Sequence, residues 1–132
     1  MLIQKDALQM IEKVGEFSSE VIELLDLNIS AGTAIFIGDT NREHMKNSHH
    51  YEYEVYYHRI PKIISSPDYI GINHTDDSIE FIKKYGKHLK LAVRIANDGE
   101  YYARTLYTIS TKRVENFVRS NTLIPIDSNK KK

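Results

Sequence analysis

The sequence predicts an α+β domain with N-terminal helices, an antiparallel β-sheet and a closing C-terminal helix. Three observations predict it. Apolar residues at helical spacing dominate the first half of the 132 residues, alternating runs dominate the second, and Asn97-Asp98-Gly99 marks a hairpin between the last two runs.

Residues 2–14 carry Leu2, Ile3, Leu8, Met10, Ile11 and Val14 at approximately helical spacing and stop at Gly15, so a first helix is expected. Ser18 or Ser19 caps a second helix with the apolar face Val21, Ile22, Leu24 and Leu25, and Glu20 and Glu23 suit its first turn. Residues 1–28 therefore read as a helical N-terminal part. Thr33 to Ile37, between Gly32 and Gly38, reads as a buried strand. Asp39, Thr40 and Asn41 offer caps for a short helix through Lys46, and Tyr51 to Ser66 reads as helical with a break near Pro61. Three strands follow: Ile79 to Ile82, Leu89 to Ile95 and Tyr101 to Ile109. Ser110 or Thr111 caps the closing helix, whose buried face is Val114, Phe117 and Val118. No linker interrupts residues 1–126, which read as one domain, and 127–132 read as a disordered basic tail.

Composition bounds the chemistry. The chain has no Cys, which removes disulfides, Cys-based zinc sites, iron–sulfur clusters and thiol catalysis together. No apolar run approaches the roughly 20 residues of a membrane span. Lys5, Asp6, Glu12 and Lys13 break up any signal-peptide pattern, so the expectation is a soluble, cytoplasmic protein without a membrane partner. The net charge of zero conceals a gradient: −5 over residues 1–40, −3 over 41–80 and +8 over 81–132. A basic C-terminal part attracts phosphate locally, and the same gradient also serves packing of the acidic part against the basic one.

Six histidines are the candidate proton-transfer groups. His44 and His49 stand five apart, about 140° round a continuous helix, which is poor spacing for gripping one metal. If the helix ends before His49, the two imidazoles can serve as acid and base on opposite sides of a phosphate; otherwise they are surface groups in a polar loop. His74 and His88 fall in predicted loops. Pro67-Asp68 resembles the opening of a metal-nuclease pattern, but Glu80 and Lys83 are separated by two residues, which sends them to opposite faces of a strand. No metal site and no cofactor is expected, and glycine-rich phosphate loops, serine nucleophile elbows and zinc-protease patterns do not occur.

Alternation puts Leu89, Leu91, Val93 and Ile95 on one face and Lys90, Ala92 and Arg94 on the other. On the next strand it groups Tyr101, Ala103, Thr105 and Tyr107 against Tyr102, Arg104, Leu106 and Thr108. A face carrying guanidinium, hydroxyl and phenol groups can cradle phosphate, or it is an ordinary solvated sheet face with cross-strand pairs.

Five segments occur in a telling order: His44-Met45-Lys46-Asn47-Ser48-His49, Ile60 to Gly71 with its Pro67-Asp68-Tyr69-Ile70, Ser78 to Ile82, Val93-Arg94, and Tyr101 to Ser110. In this order, over about residues 30–118, the chain resembles the phage-borne nuclease-like domain of the barnase, EndoU, colicin and RelE fold group (PBECR). The resemblance implies helices packed on a curved antiparallel sheet and metal-independent cleavage of RNA on the sheet's open face. Residue by residue, it makes His44, His49, Arg94, Thr105 and Tyr107 catalytic, and Lys90, Tyr102 and Arg104 join them as substrate-binding candidates. His50, next to His49, stands where the family commonly has a proline.

The reaction so implied is transesterification. One imidazole takes the ribose 2′-OH proton, the other protonates the leaving 5′ oxygen, and Arg94 stabilises the phosphoryl charge. The expected partner is RNA, tRNA or another host RNA included, for a phage or prophage toxin that acts in the host cytoplasm and has a cognate inhibitor protein. The alternative is a non-catalytic module of the same fold that binds nucleic acid or protein.

Overall fold

The computed structural model describes residues 2–6 and 9–126, with side chains from residue 10 onward. The tail expected at 127–132 lies outside the described residues. Among these, eight strands form one sheet: β1 (Leu2–Asp6), β2 (Gln9–Glu16), β3 (Ala34–Gly38), β4 (Tyr69–Asn73), β5 (Ser78–Tyr85), β6 (Lys87–Ile95), β7 (Tyr101–Ile109) and β8 (Leu123–Pro125). Their order is β1-β2-β3-β7-β6-β5-β4-β8, and every pairing is antiparallel except the short β3–β7 contact. The helices are α1 (Ser19–Leu25), α2 (Asp39–Ser48), α3 (His50–Tyr56), α4 (Ile60–Ser65) and α5 (Thr111–Arg119), with a 3₁₀ turn at Tyr57–Arg59. The fold is α+β, as the sequence predicts.

The helical N-terminal part expected over residues 1–28 is overturned in its first half. β1 and β2 form a hairpin there, and helix begins only at α1, where the Ser18 hydroxyl accepts from the Val21 amide at 3.2 Å. Two features of β2 hid the strand. Its register against β3 shifts between Lys13 and Gly15, leaving Val14 unpaired and breaking the alternation that marks a strand. Gly15 is no helix stop: a Cβ there would lie 2.8 Å from Ile64 Cγ2, so the missing side chain is what lets α4 pack on β2. Pairing with β3 and burial of Ile11 decide the conformation over local spacing.

β4 and β8 were also not foreseen as strands. They pair at Gly71↔Leu123, where a Gly71 Cβ would collide with the Thr122 carbonyl. The break in the Tyr51–Ser66 helix falls at Tyr57–Arg59, one turn before Pro61, whose ring occupies the first turn of α4 where no amide partner is needed.

Alternate residues of the central strands serve two cores. Phe81, Leu91, Val93, Ala103 and Leu106 face the larger one with Phe17, Ile35, Ile63 and Ile64. Ile82 and Ile109 face the other way, where α5 covers them with Val114 and Phe117. α5 covers one end of that second face. Beyond it lie the polar residues of β6 and β7.

Candidate active site

Residues directly opposite in an antiparallel pair share a face. On the α5 side of the sheet, Lys90 meets Tyr107, Ala92 meets Thr105 and Arg94 meets Tyr102; on the core side, Leu91 meets Leu106 and Val93 meets Ala103. The register shifts between these pairs and leaves Arg104 with no residue opposite it. This bulge corrects the grouping expected from strict alternation. Tyr102 joins Thr105 and Tyr107, while Tyr101 and Ala103 turn to the core, Ala103 fully buried and Tyr101 edge-on to Phe17 at 5.0 Å between centroids.

The α2–α3 junction brings an imidazole to this face. α2 ends at Ser48, and His49 departs from helical geometry with φ −142° and ψ 68°. Its ring stacks on Tyr107 with centroids 5.0 Å apart and planes 20° apart. Nearby, the Thr108 hydroxyl donates to Glu52 Oε2 of α3 at 3.2 Å, so both sides of the junction are tied to β7. The start of α2 is anchored by Arg42, whose Nη2 donates to the Met10 carbonyl and to Asp39 Oδ1, each at 2.8 Å. That guanidinium, with the Met10 amide, holds the Asp39 carboxyl below its ordinary value.

Beside Tyr107 sits a buried ion pair. Lys90 Nζ lies 2.9 Å from Glu80 Oε2 and 5.1 Å from the Tyr107 ring centroid, with both charged side chains less than a tenth exposed. Burial pushes the ammonium toward neutrality, but the Tyr107 phenol and the Glu80 carboxylate outweigh it, so its pKa is raised and Lys90 stays charged. Lys90, expected among the substrate contacts, thus spends its ammonium on Glu80. Arg94 is half-buried, and its field adds to the Ser78 hydrogen bonds that hold the Asp76 carboxyl low.

The remaining candidates line two recesses that meet at Thr40. His44 is exposed and lines one of about 430 Å³ with Asp39, Thr40, Glu43 and Asn47 from the same side of α2. Arg104 and Tyr102 line another of about 360 Å³ with Thr40, Asn41, Asn97 and Asp98. His49 lines neither of them. The structure therefore brings His49, Tyr107, Thr105, Lys90 and Arg94 onto one sheet face and gives His44 a neighbouring recess. Among the described residues, no group of three or more His, Asp or Glu side chains converges with metal-binding geometry, and no helix is long and apolar enough to cross a membrane.

The family model for phage nuclease 3 of the barnase, EndoU, colicin E5/D and RelE-like group (PBECR3) matches residues 12–116. The chain belongs to this family. No curated protein and no solved structure gives a significant match. The PBECR3 match runs from within β2 through most of α5, so it contains the whole polar face and both recesses. Membership makes the chain a phage-type nuclease and nucleic acid its substrate class. Glu80, weighed in the sequence only as part of a metal-nuclease pattern, is instead the partner of Lys90. Its signal was a lone carboxylate in the apolar run Ile79-Glu80-Phe81-Ile82, matched by a lone ammonium in Leu89-Lys90-Leu91; a charge placed so demands a partner.

Proposed function

We propose that this PBECR3 protein is a metal-independent endoribonuclease that cleaves RNA through its own 2′-OH. The observation that carries the proposal is the His49 imidazole stacked on Tyr107, over a sheet face that also displays Thr105 and Arg94. An imidazole held there can accept or donate a proton, and a guanidinium on the same face can stabilise charge on phosphoryl oxygens. His44, separated from His49 by the last turn of α2, is the second proton-transfer group. In the reaction the 2′ oxygen loses its proton to one imidazole and bonds to phosphorus. The bond from phosphorus to the 5′ oxygen breaks, and the other imidazole protonates the leaving oxygen. The products are a 2′,3′-cyclic phosphate and a free 5′-OH. DNA lacks the nucleophile.

The test is purified protein incubated with total RNA in EDTA, with the product ends identified. Cleavage to cyclic phosphate ends in EDTA, and inertness of a substrate with 2′-deoxyribose at the cut, support the reading. Cleavage that requires added magnesium or manganese overturns it. The separation of His44 from the face that holds His49 favours one second reading, a non-catalytic RNA-binding module. Tight RNA binding without cleavage would establish that module. As a phage toxin the protein would act on tRNA or other host RNA in the host cytoplasm and be restrained by a cognate inhibitor. Growth arrest on expression, relieved by His49→Ala, tests that role.

A further inference from the structure

The recess at the β6–β7 turn is built differently from the catalytic face. Its wall is Tyr102, 8% exposed, whose hydroxyl donates to Asp98 Oδ2 at 2.7 Å; Asp98 Oδ1 in turn accepts the Glu100 amide at 2.9 Å and fixes the turn. Gly99 closes that turn at φ +84°. Asn41 spends its amide oxygen on the Gly38 N–H at 2.9 Å, which leaves its NH₂ hydrogens to donate. Arg104 is the residue that the β7 bulge leaves with no residue opposite it, and its side chain lines the recess.

We propose that this recess is a base-recognition subsite, which takes a guanine of the nucleic-acid strand through the O6 and N7 acceptors on one edge of the base. Three features select the ligand class. A volume of about 360 Å³ lies at the small end of ligand pockets and suits a single base. The Asp98 carboxylate in the lining repels a phosphate but not a neutral base. The Arg104 fork matches two adjacent acceptors, which guanine offers, whereas adenine and cytosine present an amino donor on that edge. The recess meets the His44 recess at Thr40, so a base seated here is next to the strand on which the proposed chemistry acts. The inference rests on the nucleic-acid reading of the site and adds its specificity. The bulge explains why the subsite exists: an extra residue turns Arg104 out of the ladder and toward the recess.

The experiment measures binding of GMP, AMP, CMP and UMP to the full chain by calorimetry at one ionic strength, without requiring catalysis. GMP should bind roughly tenfold tighter than the others. Arg104→Lys, which keeps the charge and loses the fork, should erase that preference while leaving weak binding of all four. Arg104 is exposed, so an unchanged melting temperature verifies the fold of the variant. Equal or undetectable binding of the four nucleotides overturns the inference, as does a preference that survives Arg104→Lys. So does an equal loss for all four nucleotides in Arg104→Ala, which would make Arg104 a phosphate contact. Guanine selectivity without RNA cleavage would sink the catalytic reading and spare this one; cleavage without base preference would do the reverse.

Discussion

Strand β6 buries both of its faces by different means. Leu89, Leu91 and Val93 are fully buried among apolar side chains, whereas Lys90 on the other face is buried to nearly the same extent only because Glu80 and Tyr107 receive its charge. The first face is held by area removed from water, which tolerates exchange of one apolar residue for another of similar volume. The second is held by a pair in which neither member can be lost singly without leaving a buried charge. The difference teaches that the polar face is pinned at Lys90 by a buried ion pair, while His49, Tyr107, Thr105 and Arg94 beside it stay partly open to solvent.

The largest expected effect separates function from packing. His49→Ala should slow RNA cleavage by about 10²–10⁴-fold, as loss of a proton-transfer group does, and leave the melting temperature nearly unchanged because the ring sits over the sheet rather than in either core. Cleavage rates and thermal melts on the same preparation check both halves. A variant that melts early and cleaves normally would reverse the roles of the two faces.

On the apolar face, Phe81→Ala should cost about 3–5 kcal/mol of unfolding free energy in urea titration, because the ring is fully buried and packs 6.0 Å from Phe17. On the polar face, Lys90→Met alone should cost up to about 3–5 kcal/mol by leaving Glu80 buried and unpaired. The double variant Glu80→Gln with Lys90→Met should recover most of that loss. If the two single losses simply add, the pair is not the unit that holds this face.

The smallest expected effect concerns His88, which is 4% exposed on β6 beneath α5. Its position in a predicted loop implied a silent substitution; the structure places it in a strand, with Thr111 Oγ1 3.5 Å from Nδ1. Burial, with Lys84 nearby, lowers its pKa below the ordinary 6.5. The unfolded chain therefore takes up a proton that the native state refuses. Stability is intact above about pH 6.5 and declines as pH falls below it. His88→Gln should flatten that decline in melts between pH 7 and 5.

Much of the fold was legible because local rules and tertiary demands agree there. Ser18 and Ser110 cap α1 and α5 as their residue types suggest, and Asn97-Asp98-Gly99 turns β6 into β7. Membership of the PBECR group was legible too, since the order of the resembling segments needs only residue identity and sequence. The rest depended on partners far along the chain. Residues 9–16 are strand because β3 offers them a ladder, residues 2–6 because β2 offers them another, and Gly15 is required by Ile64, about fifty residues away. The bulge at Arg104 exists only in the register of β7 against β6, and one extra residue there reverses which side chains share a face. Glu80 and Lys90 become a pair only when β5 and β6 lie side by side. By itself, then, the sequence determined the α+β class, the caps and turn, and the chemical inventory, all set by short-range stereochemistry. Only the tertiary structure decided which strands exist at the edges, which way Arg104 and Tyr102 face, and that His49 meets Tyr107 while His44 opens on a separate recess, because register and burial are properties of elements in contact.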